Sequence, residues 1–484
     1  MEQAVEILNK IVWNNFLIIA LLFIGLYFTL RTRFIQVRFL KRMVGLLYKS
    51  KASQKGVSSF QAFALDLSGR IGTGNIAGVG IAIAWGGPGA VFWMWLIAII
   101  GAATAFAEAT LGQLYKEVKD GEYRGGPAFY IQKGLGKHGY AKVFAITLML
   151  ANGLGNSGIQ SNSIAAGIEN AFHIPPLWTG IFVAGLVAII IFGGVKRISR
   201  VAEIVVPFMA LGYVILAAVI ILMNFTQIPS VLKLIFSSAL GTNATFGGIM
   251  GAAISWGVRR GMFSNEAGQG TAPHAAAAAE VKHPAQQGLI QAFSVYIDTL
   301  IVCTVTAFII LFSGMYNVQN KAGEMLVENV PHINPGTGFA QEGINHYFPG
   351  LGDPFIAIAL FLFAFTSILA IYYRVETNLS FLFKTKMNAF ALFSLRIILL
   401  IGVIYGAYNG VGVAWKFGDI GVGLITWLNI TALFLLRKPV LKCLKDYERQ
   451  LRQGKEPVFN SLKAGIKNAK FWEEAPPTTP NDNS

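Results

Sequence analysis

The residues best suited to chemistry lie inside apolar stretches. One stretch reads Ser68-Gly69-Arg70-Ile71-Gly72-Thr73-Gly74-Asn75-Ile76-Ala77-Gly78-Val79-Gly80. Gly72, Gly74 and Gly78 each weaken a helix by roughly 1 kcal/mol relative to Ala. A helix that unwinds here exposes backbone N–H groups at the start of its outer half, where the dipole favours an anion such as a carboxylate. The carbonyls that end its inner half can hold a cation. The same glycines read equally as a small-xxx-small packing face from Gly74 to Gly78. Asp66 and Arg70, four residues apart with the acid first, suit a local ion pair on a helix, or else are solvated near a cytoplasmic mouth.

Further polar groups interrupt other apolar runs. Asn152, Asn156, Gln160 and Ser163 fall on one helical face. Buried amides need partners, so this face either glues helices together or lines a hydrated pocket. Thr366 and Ser367 offer hard, neutral oxygens that, with carbonyls, can cage an alkali cation; a Thr-Ser pair also commonly bonds back to its own helix. Arg374 and Glu376 are expected to pair with each other. The segment from Arg259 to His274 is too polar for the middle of a bilayer and is expected at the cytoplasmic surface. Neither its Ser nor its His has a hydrolase or metalloprotease spacing, so no enzyme is indicated. Cys303 and Cys443 are too isolated for a disulfide framework or a metal site.

The elements that hold these groups follow from composition. Charged residues are 13% of 484 and hydrophobic residues 54%, against roughly 25% charged in an ordinary soluble protein. Only a bilayer absorbs so much apolar surface. The net charge of +15 does not indicate nucleic acid, because the charges cluster between apolar runs as topology determinants do. Runs long enough to span lie at roughly 11–30, 60–84, 90–114, 142–168, 177–195, 201–223, 245–262, 287–312, 354–383, 387–408 and 420–436. The first has its arginines after it, unlike a signal peptide, and reads as a true membrane helix.

About eleven spans with the N-terminus outside put Arg31, Arg33, Arg38, Lys116, Lys196, Arg259, Arg260, Lys384, Lys386 and the basic tail in the cytoplasm. Only Lys10, Lys233, Lys321 and Lys416 fall outside. The tail starts as a basic amphipathic stretch expected to lie along the inner leaflet, and its Pro-rich end is expected not to fold.

The seventh run, Phe246-Gly247-Gly248-Ile249-Met250-Gly251, is interrupted by glycine like the second. Such matched interruptions point to an all-α membrane transporter with one leading helix and a 5+5 inverted repeat containing two broken helices. The expected division is 1–59 leading helix and connector, 60–223 first repeat, 224–436 second repeat and 437–484 tail.

These residues resemble the sodium:alanine (alanine or glycine:cation) symporter family. The match runs through Gly56-Val57-Ser58-Ser59-Phe60-Gln61-Ala62-Phe63, Gly72-Thr73-Gly74-Asn75-Ile76-Ala77-Gly78-Val79, Gly86-Gly87-Pro88-Gly89 and Arg124-Gly125-Gly126-Pro127-Ala128. Its most specific piece is Arg260-Gly-Met-Phe-Ser-Asn-Glu-Ala-Gly-Gln-Gly-Thr-Ala-Pro273.

The resemblance implies a leucine-transporter-like fold and symport of small neutral amino acids with sodium, or with protons in some members. Sodium is then the coupling ion and no other cofactor is expected. By that likeness Gly72, Thr73, Gly74 and Asn75 would receive the substrate carboxylate. Gly247, Gly248 and Gly251 would face the ammonium, with Asn156 and Gln160 as another wall. Ser68, Ile71 and Phe363 carbonyls with the Thr366 and Ser367 hydroxyls would hold sodium. Ile371 stands where many members carry Trp, which implies room for serine or glutamine beside alanine and glycine. The likeness also implies a bacterial inner membrane. An uncoupled channel or facilitator is the alternative from another class, distinguished by flux without an ion gradient. The sequence sets no oligomeric state.

Overall fold

The computed structural model describes residues 2–383, 387–408 and 411–473. Lys384, Lys386 and the Pro-rich end lie outside the described residues. Within them the apolar runs are helices, as they must be where lipid leaves no water to satisfy backbone groups. Seven are long and apolar enough to cross a membrane: Ile7–Arg31, Gly89–Leu114, Gly194–Met223, Pro284–Ser313, Gly352–Leu382, Ala389–Tyr408 and Gly418–Leu435. The other expected runs are helical too, but shorter or interrupted.

The helices that shape the centre are α1 (Asn15–Arg31), α2 (Ser59–Arg70), α3 (Val79–Gly86), α4 (Gly89–Leu114), α5 (Ser157–Phe172), α6 (Gly194–Met223), α7 (Met250–Asn265) and α8 (Ala272–Ala278). They continue with α9 (Pro284–Val295), α10 (Thr304–Ser313), α11 (Gly352–Leu382), α12 (Ala389–Tyr408), α13 (Val411–Leu435) and α14 (Arg437–Arg452). Wide helical turns at Gly74–Gly78, Ala151–Asn156 and Tyr296–Cys303 join α3, α5 and α10 to what precedes them.

Two broken helices run antiparallel through the centre. The first is α2 and α3, interrupted around Ile71 to Thr73; the second is α7 and α8, interrupted at Glu266 to Thr271. Their inner halves are tied by backbone bonds, Val57 N–H to Ala278 O at 3.0 Å and Glu280 N–H to Val57 O at 2.9 Å. Their outer halves pack so closely that a Cβ on Gly86 would lie 3.2 Å from Ala253 Cα. The breaks therefore meet in mid-molecule.

The second break is not where the glycines of the seventh run suggested. Gly247 to Ile249 form a short tight turn before α7, and Gly248 and Gly251 face open space. Those glycines start a helix; the break belongs to the polar run that follows α7. This also corrects the position of Arg259 and Arg260. Arg259 donates to Trp13 O at 2.6 Å, just before α1, so both arginines belong to the half of the molecule that holds Lys10, opposite Arg31.

The tail differs from expectation as well. α14 buries Val440, Cys443, Leu444 and Tyr447 against the protein, so this apolar face is taken by the protein rather than by lipid. Beyond it, Trp472 is fully buried and its Nε1–H donates to Gln113 O at 2.8 Å.

Candidate functional site

The first break is built by side chains that replace the missing helical bonds. α2 starts on a reciprocal cap between Ser58 and Gln61 and makes its last regular bond from Ile71 N–H to Leu67 O. The next donor, Gly72 N–H, turns to Asn75 Oδ1 at 2.9 Å. Thr73 N–H turns to Gln160 Oε1 at 3.1 Å. Gln160 Nε2 and Asn156 Oδ1 lie 3.3 Å apart, as do Asn156 Nδ2 and Asn152 Oδ1, so the amide face of the fourth run is a ladder leading to the break. Thr73 Oγ1 is buried without a hydrogen-bond partner in the protein. Gly72, Thr73, Asn75, Asn156 and Gln160 thus form one cluster, and Gly74 supports it: a Cβ there would sit 3.2 Å from both Phe263 Cδ1 and Ser264 Cα.

A second cluster collects neutral oxygens beside it. With the Gly72 N–H turned away, Ser68 O has lost its ordinary helical donor. Ser367 Oγ lies 2.9 Å from Ser68 O, 3.2 Å from Ile71 O and 3.0 Å from Phe363 O. One hydroxyl hydrogen cannot serve three carbonyls, so lone pairs are left over. Thr366 Oγ1 lies 3.0 Å from the same Phe363 O and 3.7 Å from Met209 Sδ. Among the described residues no group of three or more His, Cys, Asp or Glu could hold a metal. Hard, uncharged oxygens in this number fit an alkali cation. Ile371, one turn beyond Ser367 on the same face of α11, is buried.

The second break carries charge. Glu266 ends α7 with a left-handed backbone, φ 55°, and its carboxylate is held by both Arg374 Nη atoms at 2.7 and 2.6 Å and by Thr271 Oγ1 at 3.0 Å. Arg374 reaches it by passing Gly69, where a Cβ would collide with its Nη2. The expected Arg374–Glu376 pair is therefore absent, and Glu376 instead bonds Arg124 at 2.7 Å. The Asp66–Arg70 pair is present at 2.7 Å, with both side chains fully buried rather than solvated.

Beyond the residues expected from sequence, the breaks gather Ser264, Asp298 and Glu108. Ser264 Oγ lies 2.9 Å from Asp298 Oδ2, and Asn75 Nδ2 donates to Asp298 Oδ1 at 2.7 Å. Glu108 accepts from Asn429 Nδ2 at 2.6 Å and from Gly270 N–H at 3.3 Å. The signal was the density of Ser, Asn, Gln and Gly in Ser264 to Thr271, the same signature that marks the first break. Gly247, Gly248 and Gly251 are not brought to this centre.

A vestibule of about 1380 Å³ opens above the breaks on the Lys10 face, lined by Ala77, Trp85, Ser163, Arg260, Trp415 and Asp419 among others. At its floor Arg260 bonds Asp419 at 2.6 Å and lies 5.2–5.5 Å from the rings of Trp256, Phe263 and Trp415. Phe263 in turn touches the first break. An ion pair framed by aromatic rings therefore lies between the vestibule and the first break.

Residues 1–461 match the sodium:alanine symporter family. The chain belongs to that family. It is 54% identical over 474 residues to YrbD of Bacillus subtilis (strain 168), covering 98% of each chain. It is 51% identical over 432 residues, 89% of this chain and 97% of the relative, to the sodium/proton-dependent alanine carrier protein of Bacillus sp. (strain PS3). Its fold is similar to that of a solved manganese transporter from Eremococcus coleocola, with a TM-score of 0.50 at 12% identity over 87% of this chain and 94% of that one. The sodium:alanine symporter family member described here is thus an amino-acid transporter of the membrane and not an enzyme.

Proposed function

We propose that this protein imports a small neutral amino acid, alanine first and glycine, serine or glutamine within the same class, together with sodium by alternating access. The observation that carries the reading is the ring of Ser68, Ile71 and Phe363 carbonyls around Ser367 Oγ at 2.9–3.2 Å, directly beside the unwound Gly72 and Thr73. Sodium takes those oxygens with Thr366. The substrate carboxylate takes the Gly72 and Thr73 N–H groups after displacing the amide oxygens that hold them now, and Asn156, Gln160 and Ile371 wall the pocket. Opposite charges a few ångströms apart in a water-poor cavity attract strongly, so each raises the other's occupancy, and the coupling is reciprocal.

Alternating access then closes the vestibule and parts the inner halves α2 and α8. The repeats span 60–223 and 224–436 behind a leading segment of 1–59, with the tail from 437. The vestibule faces outside with the N-terminus and the tail faces the cytoplasm, in a bacterial inner membrane; what supports this orientation is the concentration of Lys and Arg on the tail side. The test is uptake of a panel of labelled amino acids into proteoliposomes under an imposed sodium gradient, a proton gradient or none. Sodium-driven accumulation of alanine is expected, and accumulation of no amino acid under any gradient overturns the reading.

A further inference from the structure

Four buried acids surround the two breaks, and they are not alike. Asp66 is bonded to Arg70 and Glu266 to Arg374, so these charges cancel in pairs. Glu108 and Asp298 have no ion-pair partner among the described residues. Glu108 lies to one side, on Asn429 and Gly270. Asp298 lies beside both breaks at once: Asn75, two residues past the first, donates to its Oδ1 at 2.7 Å, Ser264, two residues before the second, reaches its Oδ2 at 2.9 Å, and Thr299 Oγ1 donates to Oδ2 at 2.6 Å. A fully buried carboxylate with no bonded ion-pair partner is costly inside a membrane protein, and such groups mark ion or proton pathways. That makes Asp298 a candidate to take up a cation or a proton.

The neighbours decide what. The Asn75 oxygen is committed to Gly72 N–H, so Asn75 presents its NH2 group to Asp298. Cys303 Sγ completes the surroundings, 3.4 Å from Asn75 Nδ2 and 3.2 Å from Ser264 Oγ. A sodium ion here would meet the Asn75 amide hydrogens, the soft Cys303 sulfur, and two hydroxyls, Ser264 and Thr299, that both donate their hydrogens to the carboxylate. A proton needs only one carboxylate oxygen. The other charged or titratable groups facing Asp298 are Arg70 from α2, close enough to act on its charge without bonding it, and Cys303 from its own helix. Tyr213 from α6 is bonded to Thr306, α4 contributes the engaged Glu108, and α7 contributes Arg259 and Arg260, bound to Trp13 O and Asp419.

We propose that Asp298 is a proton-binding site of the transport cycle, separate from the Ser367 oxygen ring, and that its proton travels with the amino acid. This rests on the symport reading. The proton bonds to a carboxylate oxygen of Asp298 from vestibule water and leaves that oxygen to water on the opposite face; no other bond changes. The link to substrate is Asn75: its Oδ1 gives up the Gly72 N–H when the substrate carboxylate arrives, its Nδ2 is bonded to Asp298, and Thr306 Oγ1 fixes its backbone carbonyl at 2.7 Å. A neutral Asp298 removes a negative charge from the approach of the carboxylate, so proton and substrate favour each other.

The full-length protein in proteoliposomes tests this with labelled alanine. At equal sodium on both sides, an inward proton gradient is expected to raise accumulation by the wild type and to have no effect on Asp298→Asn. Sodium-driven uptake by the wild type is expected to change with pH, and that variation is lost in Asp298→Asn. A variant that responds to the proton gradient as the wild type does overturns the proposal. So does one whose sodium affinity changes while its pH profile stays wild-type, since sodium would then be the occupant.

Thr299→Val keeps the acid and removes one donor to its charged form, so it is expected to sustain proton-driven uptake to higher pH than the wild type. An unchanged profile there overturns the proposal even if Asp298→Asn fails to fold. Wild-type protein that accumulates alanine under neither gradient overturns the symport reading and this one with it; wild-type accumulation driven by sodium but indifferent to protons overturns the proton assignment alone.

Discussion

Gln160 Oε1 accepts the Thr73 N–H at 3.1 Å, the donor that the proposed binding mode gives to the substrate carboxylate. The amide oxygen carries the polarity of a carboxylate without its charge, which keeps the unwound N–H satisfied between cargoes. Gln160→Glu would set a fixed negative charge against the incoming carboxylate. The concentration dependence of alanine uptake should show KM raised about tenfold or more. Gln160→Ala, which removes the placeholder but adds no charge, should move KM less. Equal effects of the two would mean that charge at this position does not matter.

The close approach at Gly72 leaves no room for a side chain. A Cβ there would meet Ser367 Oγ at 2.6 Å and Gln160 Oε1 at 2.9 Å, so Gly72→Ala pushes the oxygen ring and the amide ladder apart together. We expect uptake to fall at least tenfold, with membrane insertion and yield close to the wild type. Gly74→Leu, driven against Phe263 and Ser264, should abolish uptake while the protein still inserts. Normal transport by Gly74→Leu would show that the break is not needed for transport.

Ser367→Ala removes the hydroxyl that sits among three carbonyls, and Thr366→Ala removes its neighbour. The pair together should raise the sodium concentration for half-maximal uptake about tenfold, with the preference among amino acids unchanged. Sodium activation measured at saturating alanine decides this. A wild-type sodium response in the double variant would remove the cation from this corner.

Much of the centre was legible because its chemistry is local. The glycines around Thr73, the amides spaced along one helical face from Asn152 to Gln160, and the adjacent hydroxyls of Thr366 and Ser367 all sit within single apolar runs, where polar groups stand out. The second break was misplaced because glycine spacing alone does not distinguish a helix start from a helix interruption. Gly247 and Gly248 make a tight turn before α7, whereas Glu266 to Thr271 interrupts the chain with Gly268 and Gly270 at φ 92° and 78°. The Asp66–Arg70 pair was legible from its spacing, but the long-range ion pairs were missed for another reason. Glu266 and Arg374 are 108 residues apart in sequence, and no spacing rule reaches that far; the nearer Glu376 was the obvious but wrong partner. The docking of Trp472 was equally hidden, since an amphipathic helix such as α14 presents the same pattern to lipid as to protein.

The Glu266–Arg374 pair is buried on both sides, each side chain about 3% exposed. Removing one partner from such a pair costs about 3–5 kcal/mol because the other charge is left uncompensated. Glu266→Gln should therefore lower the apparent melting temperature of the purified protein markedly. Glu266→Gln combined with Arg374→Met removes both charges and should recover much of that loss. Transport should stay impaired in the double variant, because Glu266 holds the left-handed turn that opens the second break. Thermal unfolding and uptake measured on the same preparations separate the two effects, and a fully active double variant would reduce the pair to a structural role.

The docked tail should loosen in acid. His283 caps α9 by accepting the Ala285 N–H on Nδ1 at 3.1 Å, and its Nε2 lies 3.4 Å from Asp446 Oδ2 on α14. Burial lowers its readiness to take a proton, opposed by the nearby Asp446 carboxylate. A base held below its unfolded value of about 6.5 favours the docked state fully above that pH. As pH falls below it, the undocked chain takes up the proton and the docked one does not, so stability declines. Proteolysis of the tail, or fluorescence of Trp472, compared at about pH 7.5 and pH 5, should report release on the acid side. His283→Asn keeps an acceptor for the cap but cannot be charged, so it should flatten that response. Release at the same pH in His283→Asn would assign the effect to another group, with Asp446 next in line, since its protonation at still lower pH would break the same contact.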